Sequence, residues 1–278
     1  MRTAFRGISQ LKWTSSVVAF TVVALVAAQS ATAAPLTEAQ ITQIVKEVSL
    51  LSGHAAARAA VINDNIRDGT VVRTGEDSRT ELTFSDRTLA RLGANTLFSL
   101  NEGTRRLDLG GGAMLLRVPK GAGGATIRTA AVTAAVTGTT VLLEYHPKAY
   151  IKLISLEGTV RMYLKGRLGE SVLINPGQML IVKPDAKRLP NPVDVDLKRL
   201  LETSELINKF RPLGSEALIA EEIRRQDEQK ADGSLIDANL VIYSQGALVT
   251  LTDPTSLGAI EQKTNAIPHG KVEMPGGP

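Results

Sequence analysis

The 278-residue chain contains no cysteine. Disulfide bonds are therefore excluded, so the fold must be held by its core alone, and lipoprotein acylation, which needs a cysteine at the cleavage site, is excluded as well. Aromatic residues are also scarce, with one Trp, four Tyr and five Phe. A stacking surface for nucleic acid or sugar is poorly supplied by so few rings. The only aromatic cluster in the sequence contains Tyr145, His146, Tyr150 and Tyr163.

Several catalytic and ligand-binding motifs are missing. The three histidines, His54, His146 and His269, show no paired-ligand spacing for a metal. No G-x-S-x-G nucleophile motif occurs, and the glycine-rich stretches at 110–112 and 121–124 complete neither a P-loop nor G-x-G-x-x-G. We interpret both stretches as tight turns that require positive φ. The sequence thus predicts no catalytic residue, no cofactor-binding residue and no metal ligand.

Carboxylates leave one enzymatic alternative open, because glycoside hydrolysis needs a pair of them. Several acidic residues alternate with apolar ones or lie in turns, as solvent-facing strand positions do. The candidates are Glu81, Asp86, Glu102, Asp108, Glu144 and Glu157.

The N-terminus has the order of a secretory signal. Three cations at Arg2, Arg6 and Lys12 precede an apolar run at 17–28, and small residues follow at 31–33. The run has 12 residues, whereas a membrane-spanning helix needs about 20. We therefore predict a signal peptide at 1–33 and an exported protein, in the periplasm, cell envelope or outside the cell. An uncleaved membrane anchor is the alternative.

Export changes the interpretation of charge. The formal charge of +4 falls to about +1 when the three signal cations are removed, so the basic composition does not indicate nucleic-acid binding.

From Val61 to Val182 the apolar residues alternate with polar ones, and turn residues interrupt the pattern about every 8 to 12 positions. This spacing is typical of all-β domains. Gly-Thr pairs at 69, 103, 138 and 158 recur irregularly, which argues against a strict solenoid and favours a β-roll over a closed barrel. The core is predicted to contain Leu82, Phe84, Leu116, Val141, Leu143, Leu153 and Met162.

The pattern changes past residue 190. Asp194 or Asp196 can cap a helix that ends at Arg211-Pro212. A second helix is capped by Ser215, and its thin apolar stripe predicts a loosely docked element or a spacer. The predicted divisions are 1–33 signal peptide, 34–190 β domain, 191–230 helical segment, and 231–278 a short strand pair and a disordered tail.

Five cations lie close together in sequence around the glycine-rich stretches. They are the candidate binding face for an acidic glycan or partner, although charges that protect sheet edges from pairing are the simpler explanation. These residues are Arg105, Arg106, Arg117, Lys120 and Arg128.

A set of ordered blocks between Val61 and Val182 resembles the FecR domain family. The blocks are Arg73-Thr74-Gly75, Ser78-Arg79, Leu82, Phe84, Asp86, Arg91-Leu92-Gly93, Asn95-Thr96, Leu116 to Lys120, Thr129, Val136-Thr137-Gly138-Thr139, Leu156-Glu157-Gly158, Val160 and Asn175-Pro176-Gly177-Gln178.

The resemblance implies an elongated, solenoid-like β-roll outside the cytoplasm and carries over no catalytic residue. It also favours a strand for Thr37 to Leu51, where periodicity alone leaves helix and strand open. In the regulators that name the family, this domain follows a transmembrane helix and a cytoplasmic anti-sigma region, and it senses a TonB-dependent iron-siderophore receptor. Only about 16 residues precede the apolar run here, so we expect no anti-sigma region in this chain.

Three functions remain as hypotheses. The first is an exported non-enzymatic FecR-type domain that binds an envelope protein or a cell-surface polymer. The second is a membrane-anchored extracytoplasmic sensor related to iron-siderophore signalling, in which case the N-terminus stays in the membrane. The third is a carbohydrate-active enzyme that uses Glu144 or Glu157. The oligomeric state is open, and no nucleic-acid partner is expected.

Overall fold

The computed structural model describes residues 36–53, 55–101, 104–167, 169–235, 241–244 and 247–250. The predicted signal peptide and the predicted tail from Thr252 lie outside the described residues, as do His54, Glu102 and His269. The described part is mainly β-strand with three short helices. The mainly β class with helices after the β domain is thereby confirmed.

The strands of the first half are β1 (Glu38–Val45), β2 (Val48–Ser52), β3 (Arg58–Ala59), β4 (Asn65–Arg67), β5 (Thr70–Thr74), β6 (Arg79–Phe84), β7 (Leu89–Leu92), β8 (Leu97–Asn101) and β9 (Arg106–Arg117). Those that follow are β10 (Ala125–Arg128), β11 (Val132–Val136), β12 (Thr140–His146), β13 (Tyr150–Glu157), β14 (Val160–Leu164), β15 (Ser171–Ile174), β16 (Gln178–Val182) and β17 (Val193–Asp194). The helices α1 (Leu197–Thr203), α2 (Glu205–Asn208) and α3 (Glu216–Ala231) come next, and the antiparallel pair β18 (Val241–Ser244) and β19 (Ala247–Thr250) follows them.

The first seventeen strands form two sheets that share β9. Sheet A has the order β4-β1-β6-β7-β9-β12-β13-β16-β17. Sheet B has the order β3-β2-β5-β8-β9-β10-β11-β14-β15. All of these pairings are antiparallel except that of β9 with β10. The segment Thr37 to Leu51 forms β1 and the start of β2 rather than a helix, as the family resemblance implied.

Strand β9 crosses from one sheet to the other at its glycines. Residues up to Gly111 pair with β8 in sheet B, and residues from Gly112 pair with β12 in sheet A. The prediction of a tight turn at 110–112 is therefore wrong, because these glycines lie inside a strand. Gly112 has φ +94°, and a Cβ there would lie 2.5 Å from the Cα of Thr96. Only glycine fits this crossing without moving backbone.

The residues around the crossing explain one block of the family motif. The Thr96 hydroxyl accepts from the Ala113 N–H (3.0 Å) and is 3.1 Å from the Ala113 carbonyl. The Thr74 hydroxyl donates to the Gly93 carbonyl (2.6 Å) and accepts from the Thr96 N–H (2.8 Å). Two buried threonines thus satisfy backbone groups that the strand ladders leave free at this point.

The main hydrophobic core lies between the two sheets. It combines alternate residues of sheet A, such as Leu82, Met114 and Leu143, with alternate residues of sheet B, such as Ile127 and Met162. Every residue predicted to form the core is buried, which confirms that prediction: Leu82, Phe84, Leu116, Val141, Leu143, Leu153 and Met162.

A second core covers the other face of sheet A. Leu115, Leu142 and Ile154 on that face pack with Leu200 of α1 and Ile219 of α3. Sheet A is therefore buried on both faces, and its central strands β12 and β13 are accordingly apolar at successive positions rather than strictly alternating.

The helices are tied to sheet A by polar contacts as well. Asp196 caps α1 by accepting from the Arg199 N–H at 2.8 Å. The buried Gln226 of α3 accepts from the Leu197 N–H (3.1 Å) and donates to the Val195 carbonyl (2.7 Å). The expectation of a loosely docked helix or spacer is wrong, because α3 is fixed to the rest of the fold through this buried glutamine. The Ser215 hydroxyl makes no cap bond.

Neither sheet closes on itself within the described residues. The end strands of sheet A are β4 and β17, and those of sheet B are β3 and β15. The described strands thus form an open arrangement, and the β-roll or solenoid description is not confirmed.

Candidate functional site at the basic end of the sheets

The five cations predicted as a binding face do not form one patch. Arg106 and Arg128 lie on neighbouring parallel strands of sheet B and flank the same carboxylate, Asp108, at 3.6 and 3.7 Å. Arg117 lies instead in sheet A, where it donates to the Gly214 carbonyl at 3.3 Å.

The remaining two predicted cations also have local environments. Arg105 forms an ion pair with Asp86 at 2.5 Å and also bonds the Gly124 carbonyl, and its side chain is only 12% exposed. Lys120 lies in a turn against Gly138, where a Cβ would approach the lysine Cα to 3.3 Å. Arg105 is thus paired with Asp86, and Arg106 and Arg128 share the one carboxylate of Asp108, so carboxylates partly offset the charge of the predicted face.

The carboxylates considered for glycoside hydrolysis are not solvent-facing. Glu81, Glu144 and Glu157 are all buried, at 5, 1 and 4% exposure, so that expectation is wrong for these three. Glu144 and Glu157 lie in different cross-strand pairs of sheet A, Glu144 opposite Lys152 and Glu157 opposite Thr140. Each is therefore held by a partner on the neighbouring strand rather than by the other carboxylate.

Glu157 is held by hydrogen bonding but remains poorly solvated. The Thr140 hydroxyl donates to its Oε1 at 2.8 Å. Burial raises the pKa of Glu157, and the Thr140 hydrogen bond and the charges of Lys120 and Arg117 oppose this effect.

A second buried polar cluster lies near the turn between β12 and β13. The Lys152 Nζ is 2.8 Å from the Glu144 Oε1, with side chains 0 and 1% exposed. The Tyr150 hydroxyl donates to the Glu144 Oε2 at 3.3 Å, and its ring lies 4.8 Å from that of His146. Tyr145 is buried in the main core, so the aromatic cluster of the sequence is only partly assembled.

Burial controls the protonation of this cluster. Desolvation lowers the pKa of His146 against the opposing charge of Glu144, and it also lowers the pKa of Lys152. Burial, followed by the Glu144 charge, raises the pKa of Tyr150. Tyr150 therefore stays protonated as a donor to the Glu144 carboxylate, which is the geometry of a structural hydrogen bond.

Three turns meet next to this cluster and form a surface that we name the basic end. They are the β12–β13 turn at 147–149, the residues 165–167 that follow β14, and the strap at 183–190 that follows β16. The exposed cations of these turns are Lys148, Lys165, Arg167, Lys183, Lys187 and Arg188.

The strap separates two grooves. The larger, of about 530 Å³, is lined by Leu164, Lys165 and Arg167 on one side and by residues 184–187 of the strap. The smaller, of about 340 Å³, is lined by Tyr150 and residues 181–183 on one side and by the strap up to Pro190. Asp185 lines both.

The basic end was not predicted from the sequence. Its cations are spread over about 40 positions, and only the fold brings the three turns together. A sequence signal nevertheless exists, because each turn carries a cation beside Pro or Gly, in Pro147-Lys148, Lys165-Gly166-Arg167 and the strap's Lys183-Pro184.

The described residues contain no cluster of three or more potential metal ligands. None of the helices in this part of the chain is long and apolar enough to cross a membrane.

Comparison with known proteins identifies the β domain. The family model "FecR protein" matches residues 70–161, which run from β5 into β14. No curated protein matches the chain. Two crystal structures from Parabacteroides distasonis ATCC 8503, each provisionally described as an anti-sigma factor, are similar at a TM-score of 0.41. One is 10% identical and covers 66% of this chain and 98% of its own; the other is 13% identical and covers 73% and 95%. The chain is a FecR domain-containing protein, with the domain at residues 70–161.

Proposed function

We propose that this protein is an extracytoplasmic, non-enzymatic signalling module of the FecR type, whose β domain binds a partner protein and reports its state. The observation that carries the proposal is the FecR match at 70–161, which covers the centre of both sheets. In the regulators of this family the corresponding domain lies outside the cytoplasm and senses a receptor. The N-terminal signal-like sequence supports export.

The buried polar groups support a non-enzymatic role. Lys152 and Tyr150 both bond to Glu144, and Glu157 accepts from Thr140. Such pairing satisfies groups that would be costly to bury alone, and it presents no free nucleophile or acid–base pair to a substrate.

An envelope-binding or scaffold role, with a protein or a cell-surface polymer as the partner, is the alternative. The FecR match supports signalling more directly than it supports scaffolding, because signalling is what the family's regulators do. The two roles differ in one measurable consequence, since only a signalling module changes transcription.

The test compares transcripts in a deletion strain that is complemented either with the wild-type gene or with the empty vector. We expect a small set of genes under one alternative sigma factor to depend on the protein. The mass of the mature N-terminus, measured in the same cells, decides between a chain that is cleaved near Ala33 and an anchored one. Unchanged transcripts together with co-purification of an envelope polymer would overturn signalling in favour of the scaffold role.

A further inference from the structure

The three turns of the basic end bring together more cations than acids. Five of these cations are exposed and make no ion pair within the described residues: Lys148, Lys165, Arg167, Lys187 and Arg188. By contrast, Arg91 faces Glu81 and Arg105 faces Asp86. The basic end therefore has a positive potential that the fold itself does not neutralise.

The acidic residues of the basic end do not cancel this charge. Glu170 accepts from the Leu189 N–H at 2.8 Å, which uses one carboxylate oxygen to hold the strap in place. Asp185, which is exposed on the strap between the two grooves, is the other acid. Two acids against at least five cations leave a net positive surface.

The strap itself is positioned by packing. Ala186 and Leu189 contact the main core, and the Ala186 N–H donates to the Lys183 carbonyl at 3.1 Å. The cations of the strap thus project from a backbone that is anchored at several points, so both grooves have fixed walls.

Apolar residues lie between the cations. The larger groove contains Pro147 and Pro184 next to Lys165 and Lys187, and the smaller contains Ala149 and Pro190 next to Arg188. We propose that the basic end is the docking surface for an acidic, extended segment of a partner protein, with carboxylates on the cations and small apolar side chains in the grooves. This inference rests on the proposed function, because it assigns the surface through which the module binds its partner.

The geometry favours a peptide over the other polyanions. A phosphate-rich or uronate-rich polymer supplies charge but no apolar side chain to contact Pro147 and Pro190. A membrane surface is met by protruding apolar side chains, whereas here the apolar residues lie in concave grooves. A peptide with alternating acidic and apolar residues matches both features of the lining, since alternate side chains of an extended chain point in opposite directions.

The test selects peptides from a random linear phage-displayed library on the full exported chain. We expect the selected sequences to be enriched in Asp and Glu with interspersed apolar residues. Their affinity should weaken as salt is raised above about 0.1 M, where the Debye length falls below about 10 Å. The triple variant Lys165→Gln, Arg167→Gln, Lys187→Gln should bind the selected peptides about tenfold or more weakly.

A matched triple variant controls for net charge. Arg73, Arg161 and Lys198 are exposed cations outside the basic end. Changing all three to Gln lowers the net charge by the same amount, and peptide affinity should stay within about twofold of the wild-type value. Thermal unfolding of both variants, followed by circular dichroism, should match that of the wild type, since all six positions are exposed.

Several results would overturn the docking surface. These are selection of peptides without acidic enrichment, equal losses in both triple variants, and tighter binding to phosphatidylglycerol vesicles or to polygalacturonate than to the selected peptides. The transcript assay separates this inference from the proposed function. Acidic peptides that bind at the basic end of a protein on which no transcript depends would refute signalling alone. Normal transcript control by the basic-end variant would refute the docking surface alone.

Discussion

Arg91 offers the sharpest test of how the FecR domain and the helical segment are joined. Its guanidinium is fully buried between sheet A and the segment after α1, with its Nε 3.0 Å from the Glu81 Oε2. It also donates to the carbonyls of Leu206 (3.0 Å) and Arg211, and it lies 4.8 Å from the centre of the Phe210 ring. One side chain therefore connects β6, β7 and the helical segment.

The expected cost of removing this side chain follows from what it leaves behind. Burial lowers the pKa of Arg91 and the Glu81 charge opposes this, but an arginine remains charged in either case. Arg91→Met keeps the approximate length of the side chain and removes its charge. Glu81 then becomes a buried carboxylate without its ion-pair partner, although it still accepts from the Thr42 hydroxyl at 2.8 Å. Breaking a buried pair in this way costs about 3 to 5 kcal/mol.

The double variant Arg91→Met, Glu81→Leu isolates the pair. It removes both charges together, so we expect it to be more stable than Arg91→Met and its cost to be about 1 to 3 kcal/mol less than the sum of the single costs. The two carbonyls that lose their donor still contribute about 1 kcal/mol each. Arg73→Met on the exposed face of sheet B is the matched control and should change stability by less than about 0.5 kcal/mol.

The measurement is urea unfolding of the full chain followed by far-ultraviolet circular dichroism, with limited proteolysis of the helical segment as a second readout. We expect cleavage within 197–231 to accelerate in Arg91→Met and to recover partly in the double variant. A loss below about 1 kcal/mol for Arg91→Met, or strictly additive single costs, would refute the idea that Arg91 locks the helices to the sheet.

Three further substitutions test other parts of the fold. Burial raises the pKa of Glu157 above its ordinary value of 4.5, so the folded state binds the carboxyl proton more tightly than the unfolded state does. The stability that this proton contributes is present below about pH 4.5 and is lost as the pH rises through the folded pKa. Glu157→Gln should therefore gain stability relative to wild type as the pH increases above 4.5, measured by denaturation at a series of pH values. Gly112→Ala should abolish soluble folded protein, since its Cβ would meet backbone at 2.5 Å; normal expression and an unchanged Tm would contradict the crossing. Leu143→Ala in the main core should cost about 2 to 5 kcal/mol in urea unfolding, and a value below about 1 kcal/mol would contradict the packing. The matched controls, in the same order, are Glu76→Gln, Gly121→Ala and Leu173→Ala.

The inter-sheet core could be predicted from sequence because strand periodicity is a local property. In strands such as β6 and β14, alternate residues point to opposite faces, so Leu82, Phe84 and Met162 were assigned to the core without knowledge of any partner strand. The motif blocks were informative as an ordered sequence pattern, but the fold makes their contacts, since Thr96 bonds to Ala113 across 17 positions and Thr74 to Gly93 across 19.

The second core was less predictable because it depends on which elements cover sheet A. Alternation suggested that Glu81, Glu144 and Glu157 face solvent, yet the helical segment and cross-strand partners bury them. The thin apolar stripe of α3 suggested loose docking, but Gln226 provides the missing attachment through two buried hydrogen bonds. A polar residue at a single position gives no periodic signal that could predict this.

The sequence by itself determined the mainly β class, the inter-sheet core and the FecR domain, because these follow from local alternation and ordered turn blocks. The tertiary structure decided that the glycines at 110–112 are a crossing within a strand, that Arg91 joins the helices to the sheet, and that the predicted arginine face is divided between the two sheets. It also assembled the basic end from turns far apart in the chain. Electrostatic and packing interactions act through space, so charges separated by tens of residues form a common surface only when the strands between them are paired.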